Sequence, residues 1–267
     1  MSIDDACKNA LKVIENKQLN SVYLAYSGGL DSTALLHAFG ALLVGKNVKL
    51  TVLHANHGLQ KRSDEWQLHC EKICQQLGFE MRSIKLDIGD ELLVRKGPEA
   101  AAREARYQWF MAEISGAHAA LATAHHQDDQ AETVLLNLMR GSGIAGLAGI
   151  SGHSVRNGVT LLRPFLPVSK AVIEKYAQAH NLKWIEDPSN RSPEFLRNRV
   201  RHELLPLLEE ARNGTQANLI RLADNMRETQ ELLEEVARED QAINHLSPNP
   251  LDGSYCLPVA GVKKLSQ

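Results

Sequence analysis

The chain has 267 residues, 43% of them hydrophobic, which is enough for one large domain or one domain with a smaller companion. Its formal net charge of −2 excludes coating nucleic acid by bulk electrostatics, so any RNA partner would have to be held by local patches. No segment approaches the roughly 20 apolar residues of a membrane span. The acidic start Met1-Ser2-Ile3-Asp4-Asp5 lacks a signal-type apolar stretch, and the scattered Cys7, Cys70, Cys74 and Cys256 form no CxxC pair. The expectation is a reduced, cytoplasmic protein with no membrane association.

Apolar periodicity predicts a helix up to about Leu19, with Ile3, Ala6, Ala10, Val13 and Ile14 near one face. Val22 to Tyr26 is a continuous apolar run, as expected of a strand buried on both faces. A helix through Ala34, Leu35, Ala38 and Leu42 follows, then a strand (Val48 to Leu53), a helix (Asp64 to Leu77) and a strand (Met81 to Leu86). Pro98, a favourable first helical position, opens a long helix to about Ile114. Ala119 to Thr123 is the next strand and Gln127 to Met139 the next helix. After Gly149 the pattern loosens: Thr160 to Leu162 suits a strand, Ser169 to His180 a helix, and Phe195 to Leu208 another. Asn213-Gly214 marks a break before an amphipathic helix from Ala217 to about Ala242. Alternating strands and helices predict an α/β fold, a doubly wound parallel sheet covered on both faces, with a C-terminal helical segment.

In such a sheet, ligands bind beyond the carboxyl ends of the strands. Three predicted strand ends carry abrupt polar inserts: Ser27 to Ser32, His54 to His57, and His125 to Asp129. In the first, Gly28 and Gly29 permit a sharp turn with unobstructed N–H groups, and Ser27 and Ser32 add hydroxyls. The helix that starts here offers its positive end to phosphate. Asp31 would repel phosphate unless a cation intervened, which suggests Mg²⁺. The plainer alternative is a strand-to-helix turn capped by Ser and Asp. Gly40 to Asn47 and Gly141 to Gly146 imitate a Walker A loop and a GxGxxG loop, but each trails a helix, and Asn47 stands where a Walker loop needs Ser or Thr.

Asp128, Asp129 and Glu132 open a helix and suit either Mg²⁺ or capping of the helix dipole. His125 and His126 beside them lack the further ligands of a zinc site. Cys70 and Cys74, with His69, are expected in the core. Arg103 and Arg106 lie one turn apart, on a ligand or on a solvated helix face. Arg140 closes the carboxylate helix, and Arg191, Arg197, Arg199 and Arg201 make the densest basic patch, suited to solvent or to phosphate contacts.

SGGxDS directly after a buried strand resembles the pyrophosphate loop of the N-type ATP pyrophosphatases, the PP-loop superfamily. Within it, His54 to Leu59, Arg103 to Tyr107, Thr123 to Thr133, Arg140 to Gly143, Arg163-Pro164 and Trp184 to Asn190 through Arg201 resemble, in order, the motifs of the tRNA(Ile)-lysidine synthase family. That resemblance implies ligation of free L-lysine to carbon-2 of the wobble cytidine of tRNA(Ile) with a CAU anticodon. The path would be an adenylated tRNA intermediate, with AMP and pyrophosphate released. Ser27, Gly28, Gly29, Leu30, Asp31, Ser32, His54, Arg106 and His125 would bind ATP, and Asp31 with Asp129 would hold Mg²⁺. Asp31, Arg103, Asp128, Asp129 and Glu132 would be catalytic, with Asp128 and Glu132 orienting lysine or the metal. Arg140, Arg191, Arg197 and Arg201 would contact tRNA. Residues 1–210 would form the adenylating domain and 211–267 the start of an incomplete tRNA-binding domain, so that the chain resembles a short or truncated member. The oligomeric state stays open, a homodimer included. The alternatives are a PP-loop tRNA thiolase, an amidating relative of the GMP synthetase kind, and a non-catalytic nucleotide- or RNA-binding remnant. The missing CxxC speaks against the first and the missing glutaminase against the second.

Overall fold

The computed structural model describes residues 1–56, 58, 62–87, 97–114, 118–188 and 195–243. In chain order it holds α1 (Ile3–Asn16), β1 (Ser21–Ala25), α2 (Leu30–Leu43), β2 (Lys49–Asn56), α3 (Ser63–Leu77), β3 (Glu80–Lys85), α4 (Pro98–Glu113) and β4 (Ala119–Ala122). Then come α5 (Gln127–Met139), a short α6 (Ile144–Leu147), β5 (His153–Arg156), β6 (Val159–Leu162) and α7 (Lys170–Ala179). A short α8 (Leu196–Arg199) runs through a π-helical turn (Val200–Leu204) into α9 (Leu205–Ala211), and α10 (Thr215–Ile243) follows.

The six strands lie in the order β3-β2-β1-β4-β6-β5. All neighbours are parallel except β5, which runs antiparallel to β6 at the edge. The parallel sheet is thus as expected, with one unforeseen antiparallel strand. Because β2 and β3 extend to one side of β1 and β4 and β6 to the other, the winding reverses between β1 and β4. That switch point opens a crevice at the carboxyl ends of the two strands.

Strand alternation sorts the core. Val22 and Leu24 of β1 face one layer, with Ile14 of α1, Leu35 and Phe39 of α2, and Ile173 of α7. Tyr23 faces the other, with Leu53, Leu121 and Phe110 of α4. The apolar runs read as doubly buried strands are therefore doubly buried. Cys70 and Cys74 belong to the first layer, as expected, and burial pushes both thiols up to about 12. A third cluster joins α5 (Ala131, Leu135) to the π turn (Val200) and to Leu219 and Ile220 of α10. The single helix expected over Phe195 to Leu208 is instead interrupted by that π turn. Gly40 of the Walker-like decoy lies under Phe79, where an added Cβ would come within 2.6 Å of the ring. It is a packing glycine.

Candidate nucleotide site

The β1–α2 connection is held open by its own polar atoms. The Ser27 and Ser32 hydroxyls lie 3.0 Å apart, Gly29 N–H donates to Ser27 Oγ at 3.3 Å, and Ser32 Oγ donates to the Gly29 carbonyl at 3.1 Å. Gly28 adopts φ +79°, and a Cβ there would sit 2.7 Å from Cys70 Sγ and 3.0 Å from Ile185 Cδ1. Only glycine meets both demands. Ile185 N–H also donates to the Gly28 carbonyl at 2.8 Å, so the 184–187 segment braces the loop from outside the sheet. α2 begins at Gly29 with no side-chain cap. Its first N–H groups face the crevice, as an anion site requires.

From the β4–α5 side comes a second polar turn. His126 and Asp129 form a reciprocal capping box: Asp128 N–H donates to His126 Nδ1 at 3.3 Å, and His126 N–H donates to Asp129 Oδ2 at 3.0 Å. With Nδ1 accepting, His126 carries its proton on Nε2, which lies 3.8 Å from Asp31 Oδ2 and 3.5 Å from Asp129 Oδ2. Burial opposes charge on this imidazole, but Asp128, Asp129 and Asp31 outweigh it and raise its pKa. Burial would likewise raise the Asp128 carboxyl, yet the adjacent His126 imidazole and a hydrogen bond from Lys170 N–H hold it at about 2. Asp31 takes Lys170 Nζ on both oxygens, at 2.6 and 2.8 Å.

Lys170 is the residue that sequence inspection missed. A signal existed: it opens α7, where a cation opposes the helix dipole and needs another reason to be there. Its position also tests the fit of Mg²⁺. A cation already sits on Asp31, and Asp31 and Asp129 both lie within 4 Å of one imidazole nitrogen. Two hard oxygen donors completed by phosphate oxygens and water suit Mg²⁺. Among the described residues, no group of three or more His, Cys, Asp or Glu could hold a metal unaided.

Glu132 is fully buried. Arg197 Nε donates to it at 2.7 Å and Arg201 NH2 at 3.0 Å, and both guanidiniums also reach Asp129 Oδ1, at 3.0 and 3.3 Å. The basic patch, expected to meet solvent or phosphate, is divided in the structure. Arg197 and Arg201 point inward onto carboxylates, whereas Arg199 stays at the surface beside Glu203 at 3.6 Å. Arg191 lies outside the described residues.

These parts surround a cleft of about 940 Å³, at the upper end of ligand-site size. Ser27, Gly29, Leu30, Asp31 and Ser32 line it with Asp128, Asp129 and Glu132, and so do His54, Arg106, His125, Lys170 and Arg201. His54 is buried, its Nδ1 2.9 Å from the Tyr26 carbonyl, and burial lowers its pKa. His125 Nδ1 lies 2.8 Å from Thr123 Oγ1. Burial pushes the His125 pKa down to about 4, against Asp129 and with help from Arg163 and Arg103. Arg103 is set apart: with His125 and Arg163 it lines a separate cavity of about 270 Å³. Arg140 lies at the far end of α5, about 20 Å of helix from Asp128.

A doubly wound sheet with an uncapped, glycine-opened helix start and paired carboxylates at its switch point defines a nucleotide-binding α/β domain. A family model described as a PP-loop domain matches residues 4–208, and the chain belongs to that ATP-binding family. The tRNA(Ile)-lysidine synthase of Pseudomonas aeruginosa is 44% identical over 218 residues, covering 81% of this chain and 48% of that protein. That of Legionella pneumophila (strain Lens) is 40% identical over 244 residues, covering 89% and 55%. The chain thus spans about half the length of the curated relatives it matches. The U34-tRNA thiolase NcsA from Methanococcus maripaludis aligns over 83% of this chain and 80% of its own, with a TM-score of 0.65 and 18% identity. That likeness is one of fold alone.

Proposed function

We propose that this chain catalyses the ATP-dependent ligation of L-lysine to carbon-2 of the wobble cytidine of tRNA(Ile) with a CAU anticodon, forming lysidine and releasing AMP and pyrophosphate. The observation that carries the proposal is the meeting, at one switch point, of the open α2 start with Asp31, Asp128 and Asp129. Similarity to proteins named tRNA(Ile)-lysidine synthase supports the choice of substrates. No helix among the described residues is long and apolar enough to cross a membrane.

In this mechanism the N–H groups of Leu30, Asp31 and Ser32 and the Ser27 and Ser32 hydroxyls hold the ATP phosphates. Asp31 with Asp129 would hold Mg²⁺, which supplies neutralising charge at the phosphates. Lys170, whose Nζ lies on the Asp31 carboxylate, would supply a second cation to the phosphate chain. The cytosine O2 attacks the α-phosphorus, pyrophosphate leaves, and the lysine ε-amine then displaces AMP from carbon-2. Rate enhancement comes from positioning and from charge placed in advance. A proton must leave the lysine ammonium. That proton leaves before attack, because an ammonium has no lone pair. An Asp128 carboxylate held at about 2 and a His125 imidazole at about 4 are both weak acceptors for it, and a second proton leaves the nitrogen once the bond to carbon-2 has formed. The buried thiols of Cys70 and Cys74, pushed up to about 12, do not suit the sulfur chemistry of a thiolase.

The test is release of labelled AMP from ATP by the purified chain. Release should require both lysine and the CAU-anticodon tRNA(Ile). Norleucine should not replace lysine, because it would leave buried carboxylates without a cation. Equal release with norleucine, or release without any amine, would refute the assignment.

A further inference from the structure

If the arginines near residue 200 are occupied by carboxylates, the cations available to RNA lie elsewhere. Arg103 of α4 and Arg156 of β5 both stand over the Tyr107 ring, their guanidinium carbons 5.4 and 5.6 Å from its centre. Arg163, just after β6, points into the small cavity beside them, where its NH1 donates to the Ser151 carbonyl at 2.7 Å and to Ser154 Oγ at 3.3 Å. Among the described residues, none of these three guanidiniums has a carboxylate partner. Burial and the neighbouring Arg103 press the Arg163 pKa downward, as expected of a cation without a counter-ion. Three uncompensated cations in a chain of net charge −2 call for an anion.

The shape selects among anions. A lone phosphate or carboxylate could fill the cavity of about 270 Å³, but it would leave exposed Arg156, outside the cavity, unused. A strand of repeated phosphates uses that outer cation as well, and its bases can stack on the guanidinium planes that Tyr107 holds. His125 lines both this cavity and the nucleotide cleft, so a strand lying here passes directly into the site. We infer that Arg103, Tyr107, Arg156 and Arg163 form the entrance surface for single-stranded RNA, the phosphate next to the reacting nucleotide seating against Arg103 and Arg163. This rests on the proposed action on tRNA and adds the path the strand takes.

The experiment measures binding of the tRNA(Ile) transcript to the full chain between 25 and 200 mM salt, alongside ATP binding. Arg156 is exposed on a hairpin, so R156A should fold normally, with an unchanged thermal midpoint and ATP affinity. Its RNA affinity at low salt should fall about 5- to 10-fold, and the slope of log affinity against log salt should fall by about 0.7 to 0.9 for the one lost contact. R156E should lower affinity further, and R103A should lower RNA affinity and the salt slope by amounts similar to R156A. R163K, which keeps the charge but loses the fork to Ser151 and Ser154, provides a variant at the buried position that need not fail to fold. An R156E chain with wild-type RNA affinity and slope overturns the inference, as does absence of RNA binding by the wild type at 25 mM salt. Lysine- and tRNA-dependent AMP release with an unaffected R156E would sink the surface and spare the function. Salt-sensitive RNA binding lost in R156E, without any AMP release, would do the reverse.

Discussion

The phosphate loop shows how residue identity and conformation are tied. Gly28 is required twice, by its positive φ and by Cys70 beneath it, so Gly28→Ala should disturb both stability and nucleotide binding. Asp31 is different. Its pair with Lys170 leaves both side chains about a third exposed, and such pairs contribute about 0–1 kcal/mol. Asp31→Ala should therefore abolish ATP turnover while moving the thermal midpoint little; a large loss of stability with ATP affinity intact would show a structural role instead. Lys170→Ala should weaken ATP and pyrophosphate binding and spare adenosine, a split readable by calorimetry. His125 gives a pH signature. Unfolded, its imidazole takes a proton near 6.5; folded, it resists until about 4. The folded chain thus binds fewer protons between those values, and acidification from pH 7 to 4 costs up to about 3 kcal/mol of stability through this group. In urea unfolding, His125→Asn should flatten that part of the pH profile; an unchanged profile would show that His125 does not titrate as its burial implies.

At the scale of elements, the buried Glu132 joins α5 to α8 and the π turn. Removing it would strand two part-buried guanidiniums, so Glu132→Ala should cost about 3–5 kcal/mol. Arg197→Ala should also destabilise, whereas Arg199→Ala, at an exposed i,i+4 pair, should stay within about 0.5 kcal/mol. Equal, small effects at Arg197 and Arg199 would mean that Arg197 is a surface residue after all. This bracket was not legible in the sequence, because charge density along the chain does not say which way an arginine turns. The Val22-to-Tyr26 and Ala119-to-Thr123 strands were legible, since burial on both faces leaves a continuous apolar run. β5 was missed for the opposite reason: His153-Ser154-Val155-Arg156 is an exposed edge with one apolar residue. The turn after it carried a usable signal. Asn157 and Gly158 have φ +51° and +78°, as a two-residue hairpin turn demands, and Asn-Gly is the dipeptide that best supplies this. The π turn had a trace in Pro206, which cannot donate to the His202 carbonyl one turn back; just before it, Leu205 N–H reaches the Val200 carbonyl five residues back.

Across the whole molecule, α10 connects regions that the sheet does not. Its Leu219 and Ile220 pack on α5, and its Arg227 donates to the carbonyls of Ala148 and Ile150 at 2.9 and 3.0 Å. The same segment is held from the other side by Gln130, which accepts from Ile150 N–H at 2.7 Å and donates to the Ile150 carbonyl at 3.2 Å. Gly149, φ +64°, lets the chain pass within contact of that glutamine. Gly149 and Ile150 in turn wall the cavity of Arg103 and Arg163. The long helix therefore shapes the anion-facing cavity although it contributes no residue to it. Arg227→Ala should remove one of two donors from each carbonyl, leaving Gln130 Nε2 at 3.5 and 3.2 Å, at a cost of about 1 kcal/mol. The nucleotide loop, built from β1, α2 and the 184–187 segment, does not touch Arg227. ATP affinity should accordingly stay near wild type while RNA affinity falls at every salt concentration, with an unchanged salt slope because no phosphate contact is removed. Hydrogen exchange should show faster opening at Gly149 and Ile150 and unaltered protection in β1 and β4. A reduced salt slope would mean that Arg227 itself meets the RNA. A loss of ATP binding equal to the loss of RNA binding would mean that the helix supports the whole fold and not this one wall.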